Sequence, residues 1–297
     1  IPMSNPAQAL IDMENKHDYM ICVDSDGCAF DAMEIKQKEC FAPNFINAYD
    51  LQAVSKYARE CWEFVNLYSV DRGCNRFIAI IKALDLLGKR KEVIARGFKV
   101  PDTTGLQEWV KVETKLGNPA LEAAIEKTGD PSLKQAMRYS IPANKSVEEI
   151  VHGVPPFPLV RESLAKGAEK AEMVVVSATP AEALQREWTE HGLIEYMTVV
   201  AGQEVGTKKE QIRLAMSGRY DPEKVIMVGD AMGDLEAAKA NGVLYYPINP
   251  GAEDASWARF YNEAFDKFID GTFAGAYQDA LIEEFKTYLP VTPPWDK

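Results

Sequence analysis

Two textures of hydrophobic and polar residues alternate along the chain. Short, wholly apolar runs at 19–23, 173–176, 197–201, 225–228 and 243–248 read as strands buried on both faces. Stretches at 159–170, 181–191, 208–217 and 234–241 carry apolar residues at helical spacing. Apolar strands alternating with helices predict an α/β fold built on a Rossmann-like parallel sheet. The run at 19–23 stands apart from the other strands. Between them, from about 33 to 153, the pattern is helical throughout. Leu51, Val54, Ala58, Cys61, Val65 and Tyr68 form one stripe, and Phe77, Ile80, Ile81, Leu84 and Leu87 another. Segments 103–116 and 119–127 continue it between Gly, Pro and Asp turns, and Ser146 with Glu149 predicts a capping box.

The predicted organisation is a discontinuous core, 18–31 and 155–250, interrupted by an all-helical domain at 32–154. Pro155-Pro156-Phe157-Pro158 reads as the hinge. The helical domain is expected over the C-terminal edge of the sheet, where open α/β sheets bind ligands. A helical extension, 251–297, is expected to pack on the core. Its aromatic stripe (Trp257, Phe260, Tyr261, Phe265, Phe268) predicts packing rather than chemistry.

Composition narrows the function. The 297 residues carry a formal net charge of -12, which argues against nucleic acid or an anionic membrane as the main partner. An anionic substrate must then be held by local cations. Cys22, Cys28, Cys40, Cys61 and Cys74 are scattered, odd in number and without zinc-ligand spacing. Reduced thiols and a cytoplasmic location are expected. No stretch approaches the ~20 apolar residues of a membrane span. Segment 1–17 lacks the basic-then-apolar pattern of a secretory leader. His17, His152 and His191 show neither metal nor catalytic spacing.

The candidate chemistry lies at predicted strand ends. Asp24-Ser25-Asp26-Gly27 directly follows the first strand. Residues at i and i+2 of an extended segment point the same way, so Asp24 and Asp26 are expected to reach one reacting centre. Gly27 lets the chain turn away beside the substrate. Asp24 is the candidate nucleophile, able to form a covalent acyl-phosphate. Asp26 is the candidate general acid and base, while an ordinary polar turn is the plain alternative. Asp230 and Asp234 could complete a hard-cation site with Asp24, of the oxygen-only kind that suits Mg²⁺. Their plain alternative is turn and capping duty.

Ser177 is left at a strand end, free to hold a phosphoryl oxygen, whereas Thr179-Pro180 with Glu182 reads as a capping box. Thr207 with Glu210 forms another, which puts Lys208 and Lys209 in the first turn of a helix. Cations there oppose the helix dipole, so an anion nearby is expected. Lys208 is the candidate phosphate-binding lysine, Lys209 its alternative, and a solvated pair the plain reading. In the helical domain, Arg72 and Arg76 are spaced to clamp an anionic substrate group from one helical face. A solvent-facing pair is the alternative.

DSDG at 24–27 together with VGDAMGD at 228–234 resembles the first and fourth motifs of the haloacid dehalogenase superfamily of aspartyl-phosphate phosphohydrolases. The resemblance covers 21–31, 174–179, 207–208 and 225–234. It implies Asp24 as nucleophile, Asp26 as acid/base, Ser177 as phosphate-binding hydroxyl and Lys208 as orienting lysine. It also implies Mg²⁺ held by Asp24, Asp230, Asp234 and the Asp26 backbone carbonyl. The block 32–154 looks like that family's helical cap, though it matches no cap by motif. Cys28 stands where the family more often has Thr. Dehalogenases and phosphonatases of the family lack the second aspartate, so Asp26 argues against both. The implied activity is hydrolysis of a small phosphorylated metabolite. The alternatives are a phosphomutase of the same superfamily and a non-catalytic phosphate-binding protein on the same fold.

Overall fold

The computed structural model describes residues 5–296. Residues 1–4, part of the segment read for a leader, and Lys297, the last residue of the predicted extension, lie outside the described residues. The chain divides into two compact units, Ile1–Ala32 with Gly153–Leu289, and Met33–His152 with Pro290–Lys297.

The first unit holds a five-stranded parallel sheet in the order β3-β2-β1-β4-β5. Its strands are β1 (Tyr19–Val23), β2 (Ala171–Val176), β3 (Val199–Ala201), β4 (Val225–Gly229) and β5 (Leu244–Pro247). Every strand predicted from the apolar runs is present. Side chains alternate between the sheet's faces, and each face has its own core. Ile21, Val23, Met173, Val175, Ile226 and Val228 belong to one. Met20, Cys22, Val174, Val176, Val225 and Met227 belong to the other.

Helices α1 (Val160–Ala168) and α2 (Ala181–Glu190) cover the first face, through Val160, Leu164, Leu184 and Trp188. Helices α3 (Lys208–Met216) and α4 (Met232–Asn241) cover the second, through Ile212, Ala215, Leu235 and Ala238.

The residues after β5 serve both faces. Trp257, Phe260, Phe265 and Phe268 enter the core shared with α1 and α2. Ile282 and Phe285, from the helix Ala276–Tyr288, enter the other. Burying an aromatic of this size contributes about 2 kcal/mol, so the extension is integral to the sheet unit. Gln278 accepts the Tyr245 amide of edge strand β5 at 2.8 Å, which occupies a donor that an edge would otherwise expose. The predicted extension divides: beyond Leu289 the chain groups with the helical unit, where the Trp295 ring lies 5.6 Å from Phe64 and 4.3 Å from the Arg90 guanidinium.

The second unit is helical. Its core gathers Phe45, Trp62, Phe77, Trp109 and Tyr139. One long helix, Pro131–Ile150, runs through it. Asp130 caps that helix by accepting from the Ser132 and Leu133 amides, and Pro131 fits the first turn. The capping box expected at Ser146 is therefore not a helix start. Ser146 lies inside this helix, and its hydroxyl accepts from Asn44 at 2.8 Å.

The proline-rich stretch is tied down within the sheet unit. The Asp31 amide donates to Pro155, the Phe157 amide donates to Ala29, and Phe30 bridges Pro156 antiparallel.

Candidate active site

Parallel strands bring their C-terminal ends to one edge of the sheet, and the candidate residues follow those ends. Val23 of β1 is level with Val175 of β2 and Val228 of β4. Asp24, just beyond, donates its amide to the Val228 carbonyl at 3.0 Å. The chain then leaves the extended conformation at once. The Ser25 carbonyl accepts from the Cys28, Ala29 and Phe30 amides, and Gly27 sits at φ +76°, where a side chain would be strained.

Strand alternation is not what aims Asp26, because β1 ends at Val23 and Asp26 lies in the turn. Asp24 reaches Lys208, whereas Asp26 reaches Thr179. Thr179 Oγ1 donates to Asp26 Oδ2 at 2.9 Å. The predicted capping box at Thr179 is corrected. The cap position of α2 is Pro180, and the Ala181 amide is taken by the Glu204 carboxylate at 3.0 Å.

Lys208 opens α3 as the capping box dictates. The Glu210 amide donates to Thr207 Oγ1 at 3.3 Å, and the Glu210 carboxylate accepts the Thr207 amide at 2.7 Å. The Lys208 ammonium lies 2.7 Å from Asp24 Oδ2 and 2.5 Å from Asp234 Oδ1. These are the anions that its place at a helix N-terminus calls for. Lys209 is exposed and makes no such contact.

Asp234 folds back on the turn before α4. Its Oδ2 accepts the Asp230 and Ala231 amides, both at 3.1 Å. A Cβ at position 229 would lie 2.5 Å from that carboxyl group, so Gly229 is what allows the approach. Capping duty and site membership coincide in Asp234, which the two sequence readings had set against each other.

Asp24, Asp230 and Asp234 each offer a carboxylate oxygen within 4.8 Å of the others, and all three residues are buried. Three buried carboxylates thus cluster, and one ammonium bridges two of them. Burial pushes the Asp24 carboxyl well above its usual range; Lys208 partly offsets this, and Asp234 and Asp230 add to it. Burial alone would lower Lys208, but Asp234 and Asp24 outweigh it and keep the ammonium charged. An all-oxygen donor set with excess negative charge fits a hard divalent cation such as Mg²⁺. Burial and the same carboxylates push the Cys28 thiol well above its usual value.

Ser177, at the end of β2, is 2% exposed, and its Oγ accepts the Thr179 amide at 3.1 Å. Its backbone is held by a residue the sequence did not single out. Gln211 Oε1 accepts the Ser177 amide at 3.0 Å, and Gln211 Nε2 donates to the carbonyls of Ser177, Gly202 and Gly206. One buried amide thus joins the end of β2 to the loop that delivers Lys208. Thr179 serves Asp26 and not the start of α2. Gln211 left no local signal, because its partners come from separate segments.

The arginine pair departs from expectation. Arg72 lies in the turn before the helix Arg76–Lys89, so the two share no helical face. Arg72 is 5% exposed and donates to the Leu67 carbonyl at 3.0 Å. Arg76 donates to Ser140 Oγ at 3.1 Å and Asn144 Oδ1 at 2.5 Å, over the Phe41 ring. Both guanidinium groups bind the helical unit's own groups.

The model of the haloacid dehalogenase-like hydrolase family matches residues 103–246, a span that includes Ser177, Lys208, Asp230 and Asp234. The match covers a little under half of the chain, and the parallel sheet with its strand-end residues is similar to what the haloacid dehalogenase-like hydrolases present. No curated protein matches it.

Among solved structures it is similar to a haloacid dehalogenase-like family hydrolase from Streptococcus pneumoniae. That likeness is 14% identity over 82% of this chain and 91% of that one, with a TM-score of 0.42. A protein assigned as a phosphoglycolate phosphatase from Lactobacillus delbrueckii subsp. bulgaricus shares 14% identity over 83% and 92%, with a TM-score of 0.49. One assigned as a β-phosphoglucomutase from Thermotoga maritima shares 16% over 77% and 84%, with a TM-score of 0.37. Likeness of this degree carries nothing about substrate. Among the described residues, no helix is long and apolar enough to cross a membrane.

Proposed function

We propose that the chain is a Mg²⁺-dependent phosphohydrolase that cleaves a small phosphorylated metabolite through an aspartyl-phosphate on Asp24. The observation that carries this reading is Lys208 bridging Asp24 and Asp234, with Asp230 close enough to share a cation.

Asp24 attacks phosphorus, and the bond to the leaving oxygen breaks. Asp26 gives that oxygen a proton, then takes one from the water that cleaves the acyl-phosphate. Lys208 orients Asp24 and offsets charge on the phosphoryl oxygens, and the Ser177 hydroxyl donates to one of them. Mg²⁺, held by Asp24, Asp230, Asp234 and the Asp26 carbonyl, would neutralise charge shared between phosphate and carboxylates.

The helical unit would act as the cap that selects the substrate. Arg72 and Arg76, which have partners of their own, are withdrawn as its anion clamp. Scattered cysteines and the acidic balance agree with a cytoplasmic setting and with neither nucleic acid nor a membrane as partner.

The test is turnover of p-nitrophenyl phosphate with Mg²⁺, with EDTA, and by Asp24→Asn. Mg²⁺-dependent release of phosphate, absent in the variant, supports the reading. Activity indifferent to EDTA, or retained by Asp24→Asn, overturns it. Intramolecular transfer of phosphate on a sugar phosphate, without its release, would favour the phosphomutase alternative.

A further inference from the structure

The phosphohydrolase reading leaves open how Asp26 keeps one proton aimed at the leaving oxygen. Resting on that reading, we propose that Thr179 is the positioning residue for Asp26 and fixes which carboxylate oxygen carries the transferable proton. Thr179 Oγ1 donates to Asp26 Oδ2 at 2.9 Å.

The donor is itself rigid. The Thr179 amide is held by Ser177 Oγ at 3.1 Å, and its carbonyl accepts the Gln203 amide at 3.0 Å. Pro180 confines the preceding residue to extended backbone, and a β-branched side chain has few rotamers. The hydroxyl is not needed to start α2, because Glu204 takes the first free amide of that helix at 3.0 Å.

The same helix grips the neighbouring residue. Ser25 Oγ accepts from Trp188 Nε1 at 3.0 Å and donates to Glu187 Oε2 at 3.3 Å. The entry and the body of α2 therefore hold Ser25 and Asp26 together.

A neutral carboxyl group has one hydroxyl and one carbonyl oxygen. A hydroxyl donor fixed on Oδ2 makes Oδ2 the carbonyl oxygen and leaves the proton on Oδ1. As the phosphorus–oxygen bond of the substrate breaks, its electron pair stays on the leaving oxygen, which takes the Oδ1 proton. Asp26 becomes a carboxylate, and the Thr179 bond strengthens as its acceptor gains charge. In the second step, water loses a proton to Oδ1 while its oxygen bonds to phosphorus. The acyl-phosphate bond breaks, and its electron pair returns to Asp24. Thr179 keeps its place throughout, so the two transfers use one oxygen.

A general acid matters most when the leaving group is poor, and this separates positioning from mere support of the loop. The test compares Thr179→Val and Thr179→Ser with the unmodified chain, in Mg²⁺, on a series of substituted phenyl phosphates. For Thr179→Val we expect kcat/KM, which reads the leaving-group step alone, to fall about 30-fold or more on phenyl phosphate, within the range of general acid catalysis. On p-nitrophenyl phosphate, whose leaving group needs little protonation, the expected fall is about threefold or less. Thr179→Ser keeps the donor and should recover most of the loss. A loss that is uniform across the series, or no loss, overturns the proposal, as does failure of Thr179→Ser to recover it. Should Thr179→Val not fold, the leaving-group slope of Thr179→Ser decides: a slope equal to that of the unmodified chain supports the proposal, and a steeper one overturns it. Asp24→Asn runs alongside. A dead Asp24→Asn with a flat Thr179→Val series removes only this inference, whereas an active Asp24→Asn removes the hydrolase reading as well.

Discussion

The two units handle buried charge in opposite ways. In the sheet unit, Asp24, Asp230 and Asp234 crowd together, with one lysine bridging Asp24 and Asp234. In the helical unit, buried cations meet full complements. Arg90, 5% exposed, pairs with Glu60 at 2.7 Å and Glu92 at 3.2 Å, and lies over the rings of Tyr57 and Trp295. Arg76 has Ser140, Asn144 and Phe41. A buried ion with matched partners holds structure, whereas like charges forced together cost stability and need a reason. The imbalance in the sheet unit is what a site would require, and the balance in the helical unit is what a scaffold requires.

The sharpest way to break this comparison is to remove one charge from each side. Asp24→Asn should abolish phosphatase turnover, by about a thousandfold or more. The same variant should leave the metal-free protein more stable than the unmodified chain, because it relieves the crowding. The sign with pH follows from the raised Asp24 carboxyl. The folded state holds that proton more tightly than the unfolded state, so its contribution is present below the ordinary carboxylate range. It is lost as pH rises from there through the raised value. The stability gap between Asp24→Asn and the unmodified chain should therefore widen with pH, and Mg²⁺ should close it. Denaturant melts at several pH values, with and without Mg²⁺, check both. A gap of the opposite sign would mean that Asp24 is a structural ion-pair partner.

In the helical unit, Arg90→Ala should be the reverse case. It strips partners from Glu60, Glu92 and two rings, and should cost about 2 kcal/mol. Trp295→Ala removes one face of that stack and should cost about 1 kcal/mol. Both are read from the melting of the whole chain, and an Arg90→Ala protein as stable as the original would undo the contrast. Smallest is Asp130→Ala, which uncaps the helix Pro131–Ile150 at about 1 kcal/mol or a little less. The Ser132 hydroxyl, and after it the Leu133 and Ser132 amides, lower the Asp130 carboxyl below the usual range, so its contribution fades only as pH falls through that lowered value.

Much of the sheet unit was legible because parallel strands buried on both faces leave unbroken apolar runs. Site residues then fall at their ends by topology. That rule places Asp24, Ser177, Lys208, Asp230 and Asp234 along one sheet edge, and Asp24, Lys208 and Asp234 do meet there with Asp230 beside them. Local patterns failed where one sequence signature serves two geometries. Thr179-Pro180 with Glu182 matches a helix start, yet a remote carboxylate, Glu204, takes the amide and leaves Thr179 for Asp26. Ser146 with Glu149 matches the same signature inside a continuous helix. The spacing of Arg72 and Arg76 suggested one helical face, but the helix begins at Arg76, after the Gly73 turn and the Asn75 cap. Gln211 was illegible because a residue that joins three segments is marked in none of them.

The most direct test of the central claim is a crystal grown with Mg²⁺ and beryllium trifluoride, a mimic of the phosphoryl group. The account predicts beryllium bonded to a carboxylate oxygen of Asp24, with Lys208 and Ser177 on its fluorines. Beryllium on any other side chain, or a bare Asp24 under saturating conditions, would contradict it.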